Sequence, residues 1–301
     1  MRRAFAVVVA AGLLAVTLTG CSSDPNASCD KALSSGSASA LISATGPLGS
    51  KPTVKFPTPI ETKTSERSIL IHGSGTPVQK GQLIEIQYTL LDGQSGATTG
   101  ASSYQKSNPY LVSVGGNSPA IDNGLQCVPV GSRVAIAMSP KDAGGSGSAA
   151  STGVAVIDVM HAFLPRANGA VRPSVSGFPT VVLAPTGQPG ITIPTGGAPK
   201  SVRAETLKEG DGATVQKDSS VVLHYTAVGW DQKNIVYSTW QAGAPDLVSM
   251  SDGQSSANQA LPQTMLKQLV GKKVGSQVVI ETPASGQVPA AAWVVDILGV
   301  R

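Results

Sequence analysis

Apolar and polar positions alternate along Leu83–Thr89 (LIEIQYT) and again along Ser220–Thr226 (SVVLHYT), and each run predicts a strand ending in Tyr-Thr. Each follows a Gly-containing turn and a short loop, so that Gly73–Thr89 and Gly210–Thr226 form two copies of one pattern at an offset of 137. They share Gly73/Gly210, Gly75/Gly212, Val78/Val215, Gln79/Gln216, Lys80/Lys217, Tyr88/Tyr225 and Thr89/Thr226. Irregular polar stretches follow, Leu91–Asn108 and Val228–Ala244, and then further strand candidates, Tyr110–Val114 and Leu247–Met250. Pro119–Cys127 and Gln259–Val270 predict short helices; Leu261, Met265 and Leu269 fall four apart, on one helical face. Tight turns through Val130–Val134 and Val274–Val278 match at an offset of 144, and Val154–Met160 and Trp293–Leu298 predict closing strands. Asp158 meets Asp296 there at an offset of 138, so the loop before the last strand is six residues shorter in the second copy. Both aspartates read as solvated strand residues.

A repeat this long means duplicated domains rather than a solenoid, whose units run to about 50 residues. Strands joined by hairpins and long loops, with one short helix per unit, predict an α+β class: two tandem domains, each a twisted antiparallel sheet packed on one short helix. Pro52-Thr53-Val54 and Pro179-Thr180-Val181 each predict an extra edge segment ahead of the repeat. The expected boundaries are 48–165 for the first domain, 166–175 for a linker and 176–301 for the second.

Composition changes this picture little. With 41% hydrophobic residues, 4% aromatic, 34 Gly and 21 Pro, the chain is globular, loop-rich and lean in packing. Arg2 and Arg3 account for two units of the formal net charge of +4, and what remains is too small and dispersed for a nucleic-acid partner. His72, His161 and His224 stand apart without spaced carboxylates, so neither a metal nor another cofactor is expected.

The N-terminus bears on compartment. Arg2-Arg3, the apolar run Ala4–Val16 and Leu18-Thr19-Gly20-Cys21 have the layout of a secretory signal, 1–20. LTGC resembles the bacterial lipobox, which implies lipid attachment at Cys21 and a membrane-anchored protein outside the cytoplasm. Residues 21–47, rich in Ser, Ala and Gly, predict a flexible tether. In an oxidising compartment Cys29 and Cys127 favour a disulfide, two buried thiols being the alternative.

Taken in order, L-x-x-G-x-G-x-x-V, a strand ending H-Y-T, a polar excursion, a short helix, L-V-G-x-x-V-G-x-x-V and a terminal V-V-D-I-L form a specific series. It resembles the FKBP-type peptidyl-prolyl cis–trans isomerases, twice over, with Leu207–Thr226 and Leu269–Val278 the nearest matches. The resemblance implies a shallow apolar pocket between helix and sheet that receives a proline ring. The implied activity is isomerisation of X-Pro bonds, whose barrier is about 20 kcal/mol. The implied partners are proline-containing segments of secreted or envelope proteins, met by a monomer.

The family's pocket Tyr is carried by Tyr88 and Tyr225, although a core Tyr on an alternating strand would look the same. The aromatic after the excursion's Pro is Tyr110 in the first copy, whereas Asp246 follows Pro245 in the second. Ile121 and Met265 fall where the family has a floor Trp, Leu261 just before it, and Val236-Tyr237 where it has Phe-Asp. That Asp is kept in neither copy, and the family's loop Tyr aligns with Gly144. The first copy is therefore expected to bind better than the second. Trp240 either refills the second pocket or caps the sheet.

Overall fold

A computed structural model describes residues 28–144, 151–257 and 259–301. The signal-like run and Cys21 lie outside them. In the first half, strands β1 (Ser43–Thr45), β2 (Thr53–Lys55), β3 (Glu66–Ile71), β4 (Leu83–Asp92), β5 (Thr98–Ala101) and β6 (Tyr110–Ser113) precede helix α1 (Pro119–Leu125). Strands β7 (Arg133–Met138) and β8 (Gly153–Ala162) complete that half. The second half holds β9 (Ala170–Val171), β10 (Thr180–Leu183), β11 (Pro189–Thr192), β12 (Arg203–Glu209), β13 (Ser220–Gly229) and β14 (Ile235–Ser238). After these come α2 (Thr239–Ala242), β15 (Asp246–Ser249), α3 (Gln263–Leu266), β16 (Gln277–Thr282) and β17 (Ala291–Val300).

Among the described residues two large antiparallel sheets and two separate two-stranded hairpins result. The first runs β3-β7-β8-β4-β5 with β6 also on β4; the second runs β14-β13-β17-β16-β12-β9 with β15 also on β13. The α+β expectation is overturned, because the protein is 40% strand and 7% helix. Of the helix expected over Gln259–Val270, only the four residues of α3 are helical. Pro262 sits at its N-cap, where it has no N–H to extend the helix backward. Leu261, Met265 and Leu269 are all buried nonetheless, as parts of a compact run of turns. In the first half Cys127, in the left-handed region at φ 61°, stops α1 two residues early. The layer over each sheet is therefore built mainly of turns and loops.

The repeated glycines have a packing cause. A Cβ on Gly73 would lie 2.2 Å from the Val130 carbonyl oxygen, and one on Gly210 would lie 2.2 Å from that of Val274. The paired motif is the tight turn itself, with Gly131 at φ 88° and Gly275 at φ 93°. Gly73 N donates to Ser132 Oγ at 2.9 Å, and Gly210 N to Ser276 Oγ at 3.0 Å. G-x-G and V-G-S thus interlock backbone to backbone, and only glycine allows that approach. Val78 and Val215, fully buried, close each core behind the lock.

Each sheet has a helix-side face and a rear face, and the segments ahead of the repeats cover the rear. Among the described residues β1 pairs only with β2, and β10 only with β11, so these hairpins lie apart from the two larger sheets instead of extending their edges. Residues 28–60, expected in large part to be a tether, are folded: Ala38, Ile42 and Ile60 pack on Ala135, Ala137, Val154 and Val156. The Cys29 and Cys127 sulfurs are bonded to each other.

Asp158 and Asp296 are buried anchors, which corrects their reading as solvated residues. Asp158 pairs with Arg133 and accepts from Gly49 N at 2.7 Å, while Arg133 donates to the carbonyls of Gly46 and Pro47. Asp296 accepts from Ala167 N at 2.8 Å and from Gln277 Nε2 at 2.7 Å. The expected linker 166–175 is accordingly tied down: Ala167 is buried and β9 joins β12. The halves meet through Leu83 and Phe163 against Val222 and Leu298.

Candidate functional site

Tyr88 on β4 and Tyr225 on β13 occupy one register position, opposite Ile157 and Val295. Both stand on the helix-side face and pack on their unit's core. Beside Tyr88 the structure places Tyr110, and Ile121 packs on the same core as Tyr88. The two Tyr rings meet edge to face with centroids 5.1 Å apart, a favoured arrangement for aromatic pairs. Tyr110 is 51% exposed, and Tyr88 and Ile121 are half-buried. Among the described residues neither Tyr88 nor Tyr110 spends its hydroxyl on a hydrogen bond. An open apolar lip with two uncommitted phenols is the outcome.

Around Tyr225 the outcome is the opposite. Tyr225 is 1% exposed, and Leu261 and Met265 are buried with it. Its hydroxyl donates to Asp246 Oδ2 at 2.6 Å. Burial pushes the Tyr225 phenol's pKa well up, and the hydrogen bond to Asp246 adds to the rise. Tyr237 stacks on Trp293 with centroids 5.5 Å apart, and Val236 packs on the same cluster. All the expected second-copy residues are thus brought together, but as a filled core.

Two residues account for the difference: Trp293, which the sequence reading gave no site role, and Asp246, which it noted in place of the aromatic. Trp293 fills the second site, and its counterpart at the 138-residue offset is Ala155. Across the ladder Trp293 faces Ala227, whereas Ala155 faces Leu90, so bulk has moved from one strand to its neighbour. That large-for-small exchange was visible in the sequence. The second residue is Asp246, paired with Leu223 as Tyr110 is paired with Ile86. A carboxylate under Tyr225 therefore stands where the first unit has an aromatic over Tyr88.

Trp240 lies behind the sheet. It stacks on His224 at 4.0 Å, and His224, next to Tyr225 on a strand, faces the other side. Burial pulls the His224 pKa down to about 3, so the ring is neutral; Nδ1 bonds with Thr239 Oγ1 at 2.8 Å. Gly144, aligned with a loop Tyr only by the sequence resemblance, has nothing near its Cβ position. Among the described residues no group of three or more His, Cys, Asp or Glu could hold a metal ion. Cavities of about 820 Å³ beside Ile60, Thr62 and Thr152, and of about 610 Å³ beside Leu33 and Asn123, have neither tyrosine in their walls.

No family model matches the chain, and no curated protein matches it. Solved structures of similar shape include the three FKBP domains of wheat FKBP73, at 12% identity and a TM-score of 0.33, covering 79% of this chain and 94% of that one. A peptidyl-prolyl cis-trans isomerase from Pseudomonas syringae pv. tomato matches at 16% identity and a TM-score of 0.28, over 33% of this chain and 74% of its own. FkpA from Escherichia coli matches at 16% identity and a TM-score of 0.29, over 33% of this chain and 47% of its own. Likenesses of this depth assign neither an activity nor any residue.

Proposed function

We propose that both units are FKBP-like and that the first is a peptidyl-prolyl cis–trans isomerase site, with the second as its support. The observation that carries this reading is the half-open Tyr88–Tyr110–Ile121 lip with its two uncommitted hydroxyls. An X-Pro bond in transit is a twisted amide that has lost resonance and is less polar than either planar form. An apolar floor at Ile121 and Tyr88 favours that state over the planar one, and a phenol hydroxyl donates to the amide nitrogen, whose lone pair the twist frees. A 100-fold acceleration asks for only about 3 kcal/mol of differential binding, within reach of one ring burial and one hydrogen bond. No nucleophile, metal or cofactor is needed. On the sequence context of Cys21 the protein is lipid-anchored outside the cytoplasm, and its partners are proline-containing segments of secreted or envelope proteins.

A proline-limited refolding assay with the purified chain tests the reading. The chain is expected to accelerate the slow phase, Tyr110→Ala to cut that acceleration about tenfold, and Tyr225→Phe to leave it in place. A slow phase that runs at the uncatalysed rate sinks the enzymatic reading. The filled second site favours a second one: a module that holds proline segments without turnover. Peptide binding with no rate enhancement selects it.

A further inference from the structure

Strand β6, which carries Tyr110, is four residues long, and among the described residues its one strand partner is β4. Further contacts that set its position come from the other half of the chain. Arg301 donates to the Pro109 carbonyl oxygen at 3.1 Å and pairs with Glu85 at 3.2 Å. Glu85 faces Leu111 across the β4–β6 ladder. The Pro109 carbonyl belongs to the peptide plane that ends at Tyr110 N, so holding that oxygen fixes the plane from which Tyr110 departs. Arg301 is itself fixed, its N–H donating to the Ser220 carbonyl at 2.8 Å, at the start of β13. Beside it Leu111 packs on the cluster of Leu83, Phe163, Val222 and Leu298, as does Leu247.

From these contacts we infer that Arg301 is a positioning residue for the first-unit cleft: the second unit grips β6 at its start and holds Tyr110 edge-on to Tyr88. The consequence for binding rests on the proline-cleft reading; the positioning itself does not. The arrangement gives the second unit a role although its own site is filled. A guanidinium fork reaches the carbonyl and the carboxylate at once, which a lysine ammonium does less well.

The test uses the full chain with Arg301→Gln and Arg301→Lys, and two independent readouts. In wild type the Tyr88 ring, 5.1 Å away and edge-on, is expected to displace the NMR resonances of the Tyr110 ring. Arg301→Gln is expected to move them toward free tyrosine while the Tyr225 and Tyr237 rings stay put, and Arg301→Lys to fall between. Affinity for a Leu-Pro tetrapeptide is expected to drop about fivefold in Arg301→Gln and less in Arg301→Lys. Unmoved Tyr110 resonances in Arg301→Gln overturn the positioning. Moved resonances with unchanged peptide affinity overturn its link to binding. A wild type that ignores the peptide defeats the proline reading alone, and the Tyr110 resonances still decide the positioning.

Discussion

Tyr88 and Tyr225 share a register position and differ in what their hydroxyls do, which makes them an internal pair of experiments. Removing the Tyr225 hydroxyl leaves the buried Asp246 with one fewer donor, so Tyr225→Phe should cost about 1–3 kcal/mol. Tyr88→Phe breaks no hydrogen bond among the described residues and should cost almost nothing. Equal shifts in the urea midpoints of the two variants would contradict the contrast between a spent and a free phenol. Asp296 offers a pH test. Burial pushes its carboxyl from the ordinary 3.8 up to about 6, against the donors Ala167 N and Gln277 Nε2. The folded state thus binds this proton more tightly than the unfolded one. The associated stability is fully present below about pH 4 and is lost as pH rises to about 6, by about 3 kcal/mol in all. Asp296→Asn should flatten that part of the stability–pH curve whatever its absolute stability, and parallel curves for variant and wild type would refute the assignment. The sequence displayed both aspartates but not their burial, because the segments that cover them are neither periodic nor rich in large apolar residues.

At the scale of elements, the two interlocked turns explain why the repeat was so legible. The shared letters of G-x-G and V-G-S are backbone requirements, and a residue forced by a carbonyl 2.2 Å from its Cβ position tolerates no drift. Gly210→Ala should therefore cost about 3 kcal/mol or more, read as loss of the folded second unit in denaturant unfolding; a variant as stable as wild type would refute the lock. Pocket positions carry no such constraint. Trp293 can replace an alanine if Ala227 makes room, and Asp246 can replace an aromatic if Tyr225 turns its hydroxyl toward it. The strands and turns could accordingly be read from the sequence, while the state of each site could not. The helices were overestimated for a related reason: Leu261, Met265 and Leu269 satisfy a helical spacing, but Pro262 lets only one turn form.

Across the whole molecule, the folded segment 28–60 is the largest departure from the sequence reading. Its Ser, Ala and Gly content suggests a tether, yet Ala38, Ile42 and Ile60 pack it against Ala135, Ala137 and Val156. The Cys29–Cys127 bond closes a loop of 98 residues, for which a chain-entropy account gives a stabilisation of about 4–5 kcal/mol. Replacing both cysteines by alanine should lower the melting temperature and let a hydrophobic dye reach the rear face; an unchanged melt would show that the segment is held by its packing and the Asp158–Arg133 anchor alone. The same bond has a consequence in time. A chain made from its N-terminus presents Cys29 long before Cys127, and before β7 and β8 supply the surface on which residues 28–60 rest. A segment made early is thus among the last to find its place, and until then the rear of the first sheet stands open to whatever else the chain, or its neighbours, can offer.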